Sequence, residues 1–439
     1  MSGSRSTIAF ISDPGTVSEL EPSTRNTVEA LDQASALGIN AITVREWLNL
    51  RVPQKGADLD DYCRLILNRR MIPTGRVQVI EKGACENSDA IRLARPDRRA
   101  LSSDRPKIVL TDQLPTSTHR PFISCFSTAP GIKVIQSFAH LSEHYLQSSA
   151  IENFCILGAG WKGIEAAIAL LDAGLPHDKI CWVKSREPWV LAAPAPSATP
   201  PHSQLATTSL QANLTAMAHA QTQDDLCFRL EEAGMLMRLS EHQAPSYFLP
   251  HVVSRKDAHR LRAIARVIRK GHVHAISKIG MVLTRGIAPM PDKTLYIDCT
   301  GRGDASRAPN LVFQPGKINL AEIRLCHPSF SAAMIGAIAC SNQSDAELNK
   351  MCVPISGKGI ADRLLTSILN HHAWLRSPDL RRWLEKSRLD PLLQRTAWRL
   401  NHSDRTPQDL KPIRSILPRV IINLESMIQR DQDMNLQVS

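Results

Sequence analysis

No stretch of this 439-residue chain approaches the roughly 18–20 uncharged apolar residues that a membrane span requires, so no membrane partner is expected. Aromatic residues are sparse, at 5%, and no helix-turn-helix, zinc-finger or RNA-binding sheet pattern stands out, which sets nucleic acid aside as a partner. The ten cysteines include no C-x-x-C pair, so neither a zinc ribbon nor a thiol redox motif is expected. They read as reduced thiols in a cytoplasmic protein. His371 and His372 are adjacent and point apart on a helix; His272 and His274 share a strand face but have no carboxylate or cysteine at ligand spacing. No metal site is expected. The G-x-S-x-G of a hydrolase elbow is missing. The opening MSGSRSTIAFISDPG holds a short apolar patch broken by Asp13 and Pro14, and it is not read as a signal peptide.

One sign of charge dominates. The formal net charge is +11, yet the 53 basic residues are spread along the chain. A solvated basic surface accounts for most of this excess, and a phosphate-bearing cofactor or an anionic substrate for part of it.

The informative stretch is FCILGAGWKGIEAAIALLDAGLPHDKICWVKSREPW, residues 154–189. It reads as a buried strand, a G-x-G-x-x-G turn at Gly158, Gly160 and Gly163, a helix closed by Gly174 and Pro176, and a second strand, KICWVK. That context turns a weak motif into a nucleotide-binding fingerprint. Gly158 permits the tight turn, Gly160 leaves room for a pyrophosphate, and Gly163 lets the helix pack on the strand. Ala159, Trp161 and Lys162 complete the loop, and the helix N-terminus offers N–H groups and partial positive charge to the phosphates. Where NAD-specific sites place an acid, this chain has Lys184, Ser185 and Arg186, with Glu187 one step later. A cationic pair beside a hydroxyl suits a 2′-phosphate, so NADP(H) is expected; the alternative is a solvated basic turn.

Elsewhere, STIAFIS, RVQVIE, KIVL, GIKVIQ, HVHAISKIGMVLTRG and KTLYIDCTG read as strands. TRNTVEALDQASALG and DLDDYCRLILNRRM read as helices, residues 207–270 as mostly helical, and the last 110 residues as helical again.

These residues resemble the FAD/NAD(P)-dependent oxidoreductases related to flavin-containing monooxygenases. The glycine segment looks like their NAD(P)-binding segment, DYCRLILNRRMIPTGRVQVI like the helix and strand of their first domain, and PDKTLYIDCTG like their return strand. INLAEIRLCHPSFSAAMIGAIA and AELNKMCVPI look like their C-terminal region. The resemblance covers roughly residues 60–400. It implies an α/β fold with two Rossmann-like, three-layer dinucleotide-binding domains. An NAD(P) domain, 149–290, is expected to be inserted into an incomplete FAD-type domain formed by 1–148 and by 291–439, the latter holding the return strand and a helical C-terminal region. Thr300 and Gly301 would then lie near cofactor.

Two departures stand out. The loop carries Trp161-Lys162 and Glu165 where such relatives typically have Lys-Thr and an Asp. No G-x-G-x-x-G precedes residue 158; the first 60 residues hold only Gly3, Gly15, Gly38 and Gly56. STIAFISDPG reads as a decayed first strand and turn. The expected activity is that of an NADPH-dependent flavoprotein oxidoreductase, monooxygenase-like, acting on a small molecule, with FAD as second cofactor despite its absent motif. The alternative is a non-catalytic relative that binds NADP(H) or no nucleotide and serves as a partner or sensor. No residue singles itself out as a catalytic base, and a homodimer is compatible with the sequence.

Overall fold

Two sheets built mainly of parallel strands organise the chain, each in its own unit. The computed structural model describes residues 8–12, 77–81, 107–110, 124–136, 145–146, 148–193, 203–300, 310–339, 341, 343–356, 359–386 and 411–438. The first unit comprises Met1–His119, Ser306–Lys358 and Asp362–Asp409, and the second Arg120–Ala305, Gly359–Ala361 and Leu410–Ser439. The main segment of the second, Arg120–Ala305, thus interrupts the first, but the second also takes Leu410–Ser439, which the sequence assigned with 291–439 to the FAD-type domain. The helices expected in TRNTVEALDQASALG and DLDDYCRLILNRRM lie outside the described residues, as does Gly301.

In the first unit the sheet order is Phe313–Gln314, Lys317–Asn319, Lys107–Leu110, Ile8–Ser12, Val77–Glu81. Ile8–Ser12 is flanked on both sides by parallel neighbours, and Lys317–Asn319 joins parallel to Lys107–Leu110. Runs rich in Val and Ile, such as VQVIE and KIVL, suit parallel pairing. Helices Pro328–Ala339 and Pro378–Lys386 pack with most of Ile360–Arg376 around Phe330, Trp374 and Trp383. Trp374 keeps its indole N–H satisfied by donating to the Met351 carbonyl, 2.6 Å away.

The second unit holds an all-parallel sheet in the order Arg266–Ile268, Ile180–Val183, Asn153–Leu157, Thr294–Asp298, Lys133–Gln136. The helix Trp161–Asp172 crosses between two of these strands and buries Ile164, Ala167, Leu170 and Leu171. Thr294–Asp298 departs from the expected strand returning to the first domain: it pairs with Asn153–Leu157 within the sheet of the second unit. Its five residues are all buried, and the hydrogen-bonding slot beside the glycine strand is where that apolar run is covered on both faces. The strand that joins the first sheet from the C-terminal side is instead the short Lys317–Asn319.

Residues 207–270 are a second correction. Helices Ser203–His219, Gln223–Glu232 and Arg255–Arg262 are interrupted by strands Leu236–Arg238 and Tyr247–Val253 and followed by Arg266–Ile268. Tyr247–Val253 and Leu236–Arg238 flank Pro188–Ala192 in a three-stranded sheet. Pro250 fits because the register shifts between Phe248 and Val252, where ladder bonds are interrupted. A meander of Val273–Ser277, Gly280–Leu283 and Gly286–Ala288 buries Val273, Ile276, Met281 and Leu283 against Cys155, Leu157, Cys181 and Val183. The final helix, Lys411–Val438, packs on Ser203–His219. No helix among the described residues is long and apolar enough to cross a membrane.

Candidate functional site

The glycine loop takes its shape from three different constraints. Gly158 has φ +118°, a conformation that side-chain-bearing residues rarely adopt, and a Cβ there would lie 2.9 Å from the Cys299 carbonyl oxygen. Its N–H donates to the Val183 carbonyl at 3.0 Å, and its own carbonyl accepts from Trp182 Nε1 at 2.8 Å. A Cβ on Gly163 would run into that same Gly158 carbonyl. Gly160 differs: a Cβ there would meet nothing within 4 Å. Two glycines are therefore required by the protein's own packing, and the third faces open space.

Gly160 is also the N-cap of Trp161–Asp172, with no side-chain cap and no acidic residue in the first turn. Gln223–Glu232, Arg255–Arg262 and Asp345–Lys350 each begin on a Thr or Ser whose oxygen accepts the N–H three residues on, and each has an acid in its first turn. The glycine-loop helix leaves its N-terminal donors and its dipole to whatever enters the open space. Ala159 is buried, while Trp161 and Lys162 are half-buried, the Lys162 ammonium lying 5.6 Å from the Trp161 ring centre. Glu165 faces elsewhere, 2.9 Å from His251 Nε2.

The proposed 2′-phosphate residues separate. Lys184 corrects the sequence reading: it is 3% exposed, turned inward, and already engaged. Its Nζ lies 3.3 Å from Glu187 Oε2 and 3.9 Å from the Trp182 ring centre. Burial pushes its pKa down to about 8, against the opposing pull of Glu187. The expected strand KICWVK does reach this residue, since the Lys184 N–H donates to the Ile268 carbonyl at 2.9 Å across the ladder, and its side chain falls on the covered side of the sheet rather than at a free strand end. Glu187 is buried too, held between Lys184 and Arg269, whose Nη2 is 2.7 Å from Oε1. It therefore presents no free carboxylate at the strand end. Ser185 is half-buried and Arg186 exposed.

Arg186 stays beside the loop through a residue the sequence did not disclose. Its guanidinium lies 4.6 Å from the centre of the Tyr247 ring, and the Tyr247 hydroxyl donates to the Ala159 carbonyl at 3.0 Å. Burial pushes the Tyr247 hydroxyl's pKa up to about 12, so it remains a donor. The contact joins residues 88 positions apart, and no local pattern marks it.

Thr300 also borders the loop. Its N–H lies 3.4 Å from where a Gly158 Cβ would stand, and its N–H and Oγ1 both donate to Asp298 Oδ1, at 2.9 and 2.6 Å. Asp298 is fully buried, and its Oδ2 finds no hydrogen-bond partner among the described residues. The site thus brings together the glycine loop, Ser185, Arg186 and Thr300, adds Tyr247 and Asp298, and withdraws Lys184.

No protein-family model matches the chain. Uncharacterised proteins of Mycobacterium tuberculosis (strain ATCC 25618 / H37Rv) and Mycobacterium bovis (strain ATCC BAA-935 / AF2122/97) are each 29% identical to it over 402 residues, 90% of this chain and 71% of theirs. Among solved structures, it is similar to a polycyclic ketone monooxygenase from the thermophilic fungus Thermothelomyces thermophila. The TM-score is 0.43 at 8% identity, over 96% of this chain and 85% of that one. An atypical thioredoxin reductase from Desulfovibrio vulgaris Hildenborough aligns with TM-score 0.20 at 11% identity, over 80% of this chain and 99% of that one. Both likenesses are too distant to define an activity for this chain.

Proposed function

We propose that the chain is an oxidoreductase that binds NADPH at the glycine loop and uses FAD, held by the first unit, to act on a small molecule. The observation that carries the nucleotide half is the open space at Gly160 in front of an uncapped helix N-terminus. A pyrophosphate fits that space: no side chain intrudes, and backbone donors face it. Arg186, exposed and braced by Tyr247, would take the 2′-phosphate. The burial of Glu187 supports NADPH over NADH, since no free carboxylate remains there for ribose hydroxyls. The nicotinamide supplies a hydride when bound; the chain's part is to hold and orient the nucleotide.

The flavin half rests on Ile8–Ser12 lying between parallel neighbours, as a first nucleotide-binding strand does. Residues 13–76, which follow it, lie outside the described residues, so no step is assigned to FAD. A second reading is favoured by the missing first fingerprint: a non-catalytic NADP(H)-binding partner or sensor. Titration of the purified chain with NADPH and NADH, alongside its visible spectrum with and without added FAD, tests both readings. The enzyme reading expects NADPH to bind more tightly than NADH, a bound flavin, and NADPH oxidation. A protein that binds NADPH but stays colourless with FAD supports the second. If neither nucleotide binds below millimolar concentration, the loop is structural, the enzyme reading fails at this site, and the alternative in its form without nucleotide gains.

A further inference from the structure

We propose that the outer face of the meander formed by Val273–Ser277, Gly280–Leu283 and Gly286–Ala288 is a contact surface for anionic membranes, on which the protein lies without crossing. The inner face of this sheet is closed against the parallel sheet. The outer face carries large aliphatic side chains into solvent: Ile279 is 75% exposed, Ile287 53% and Val282 39%. Val282 and Ile287 are cross-strand register partners, so they form one patch. Ile279 tops the adjoining turn between Ser277 and Gly280. Such a tip gains little from packing within the fold and much from leaving water.

Charge surrounds the patch on one side of the ledger only. From residue 258 to 291 the chain has seven Lys and Arg and no Asp or Glu. Some of these cations serve the fold: Arg260 pairs with Asp172 and Asp257, Arg262 with Glu241 and Arg269 with Glu187. Arg266 turns to the inner side, toward Met290, while Lys270, Lys278 and Arg285 have no carboxylate partner among the described residues. Lys270 donates to the Ile287 carbonyl and Arg285 to that of Arg269. Lys278, next to Ile279, is exposed. Bonds to carbonyls satisfy donors without cancelling their charge. The face is therefore aliphatic at its centre and positive around it, the combination that adsorbs to anionic lipid.

The occupant is argued by elimination on the same surface. A second copy would bring an equally positive face, on a chain of net charge +11. A protein partner is usually gripped by aromatic anchors in pockets, and these strands carry no Phe, Tyr or Trp. A fluid lipid interface needs neither shape complementarity nor a pocket. The absence of a spanning segment is no obstacle, because lying on a bilayer requires none.

Co-sedimentation of the full chain with vesicles tests this. Wild type is expected to sediment with vesicles of phosphatidylcholine mixed with phosphatidylglycerol, not with phosphatidylcholine alone, and to release as salt rises. Lys278→Glu is expected to weaken binding on the order of 10- to 30-fold, and the double variant Ile279→Asp, Ile287→Asp to abolish it. Both alter exposed positions, and thermal melts of each confirm that the fold persists. The proposal is overturned if wild type ignores the anionic vesicles. It is equally overturned if the variants bind as wild type does, or if wild type self-associates without lipid through Ile279 and Ile287.

Discussion

The strands Ile8–Ser12 and Asn153–Leu157 occupy equivalent places, each inside a parallel sheet with parallel neighbours on both sides. They are followed by different chemistry. The second runs into Gly158-Ala159-Gly160, the first into Asp13-Pro14-Gly15. A parallel sheet therefore does not itself demand a glycine fingerprint. What demands it is the local traffic behind the loop, where a carbonyl, an indole and a helix converge on Gly158 and Gly163, and the open space in front of Gly160. The two kinds of glycine are separable by experiment.

The largest effect is expected from Gly163→Val, because its Cβ has no room against the Gly158 carbonyl. Overpacking there should cost about 3 kcal/mol or more and lower the melting temperature by roughly 6–12 °C, seen by calorimetry with no nucleotide present. An unchanged melt would mean that the helix does not press on the loop. Gly160→Val should do the opposite. Stability should hold within about 1 kcal/mol, while NADPH and NADH should both weaken by roughly 150-fold or more, the loss of two charge-assisted backbone bonds. Calorimetric titration reads it, and undiminished binding of both would move the pyrophosphate elsewhere.

Next in size is a pH effect at the second strand end. The folded pKa of Lys184, about 8, lies below its ordinary 10.5. Between these values the unfolded chain keeps a proton that the folded chain has released, so stability rises with pH across that window. The contribution is on the order of 3 kcal/mol when complete. Urea melts at pH 7 to 10.5 should show Lys184→Met lacking this rise; parallel curves for variant and wild type would refute the inward placement. Arg186→Ala should weaken NADPH by roughly 10- to 150-fold, one charge-assisted bond, and NADH little. Equal loss of both would exclude Arg186 from the 2′-phosphate. Tyr247→Phe should be smallest, about 0.5–1.5 kcal/mol for a single neutral hydrogen bond, measured as lost stability in urea. Tyr247→Leu, which also removes the ring under Arg186, should in addition narrow the NADPH preference.

The glycine segment was legible because strand, turn and helix are adjacent in sequence, although the contact that constrains Gly158 most, the Cys299 carbonyl, comes from a distant strand. The meander and the C-terminal helices were legible for the same reason. Three things were not. Tyr247–Val253 was hidden by Pro250 and by the helical segments on either side, and its place beside Pro188–Ala192 is decided by distant pairing. The inward turn of Lys184 depends on Arg266–Ile268 extending the sheet by one more bond. Thr294–Asp298 reads as a buried strand from its residues alone, but which sheet claims it is a matter of topology, not composition.

The last helix, Lys411–Val438, sets the order in which the molecule can be completed. It buries Val420, Leu424 and Met427, and Asn423 donates to the Met217 and Ala220 carbonyls at 2.8 and 2.7 Å. Apart from Gly359–Ala361, the rest of its unit has been synthesised by Ala305. At about 5–20 residues per second, the helix Ser203–His219 must wait roughly 10–40 s for its partner. During synthesis the second unit thus starts after the first, at Arg120, and also closes after it, and a fragment ending at Ala305 would leave Ser203–His219 without its partner helix.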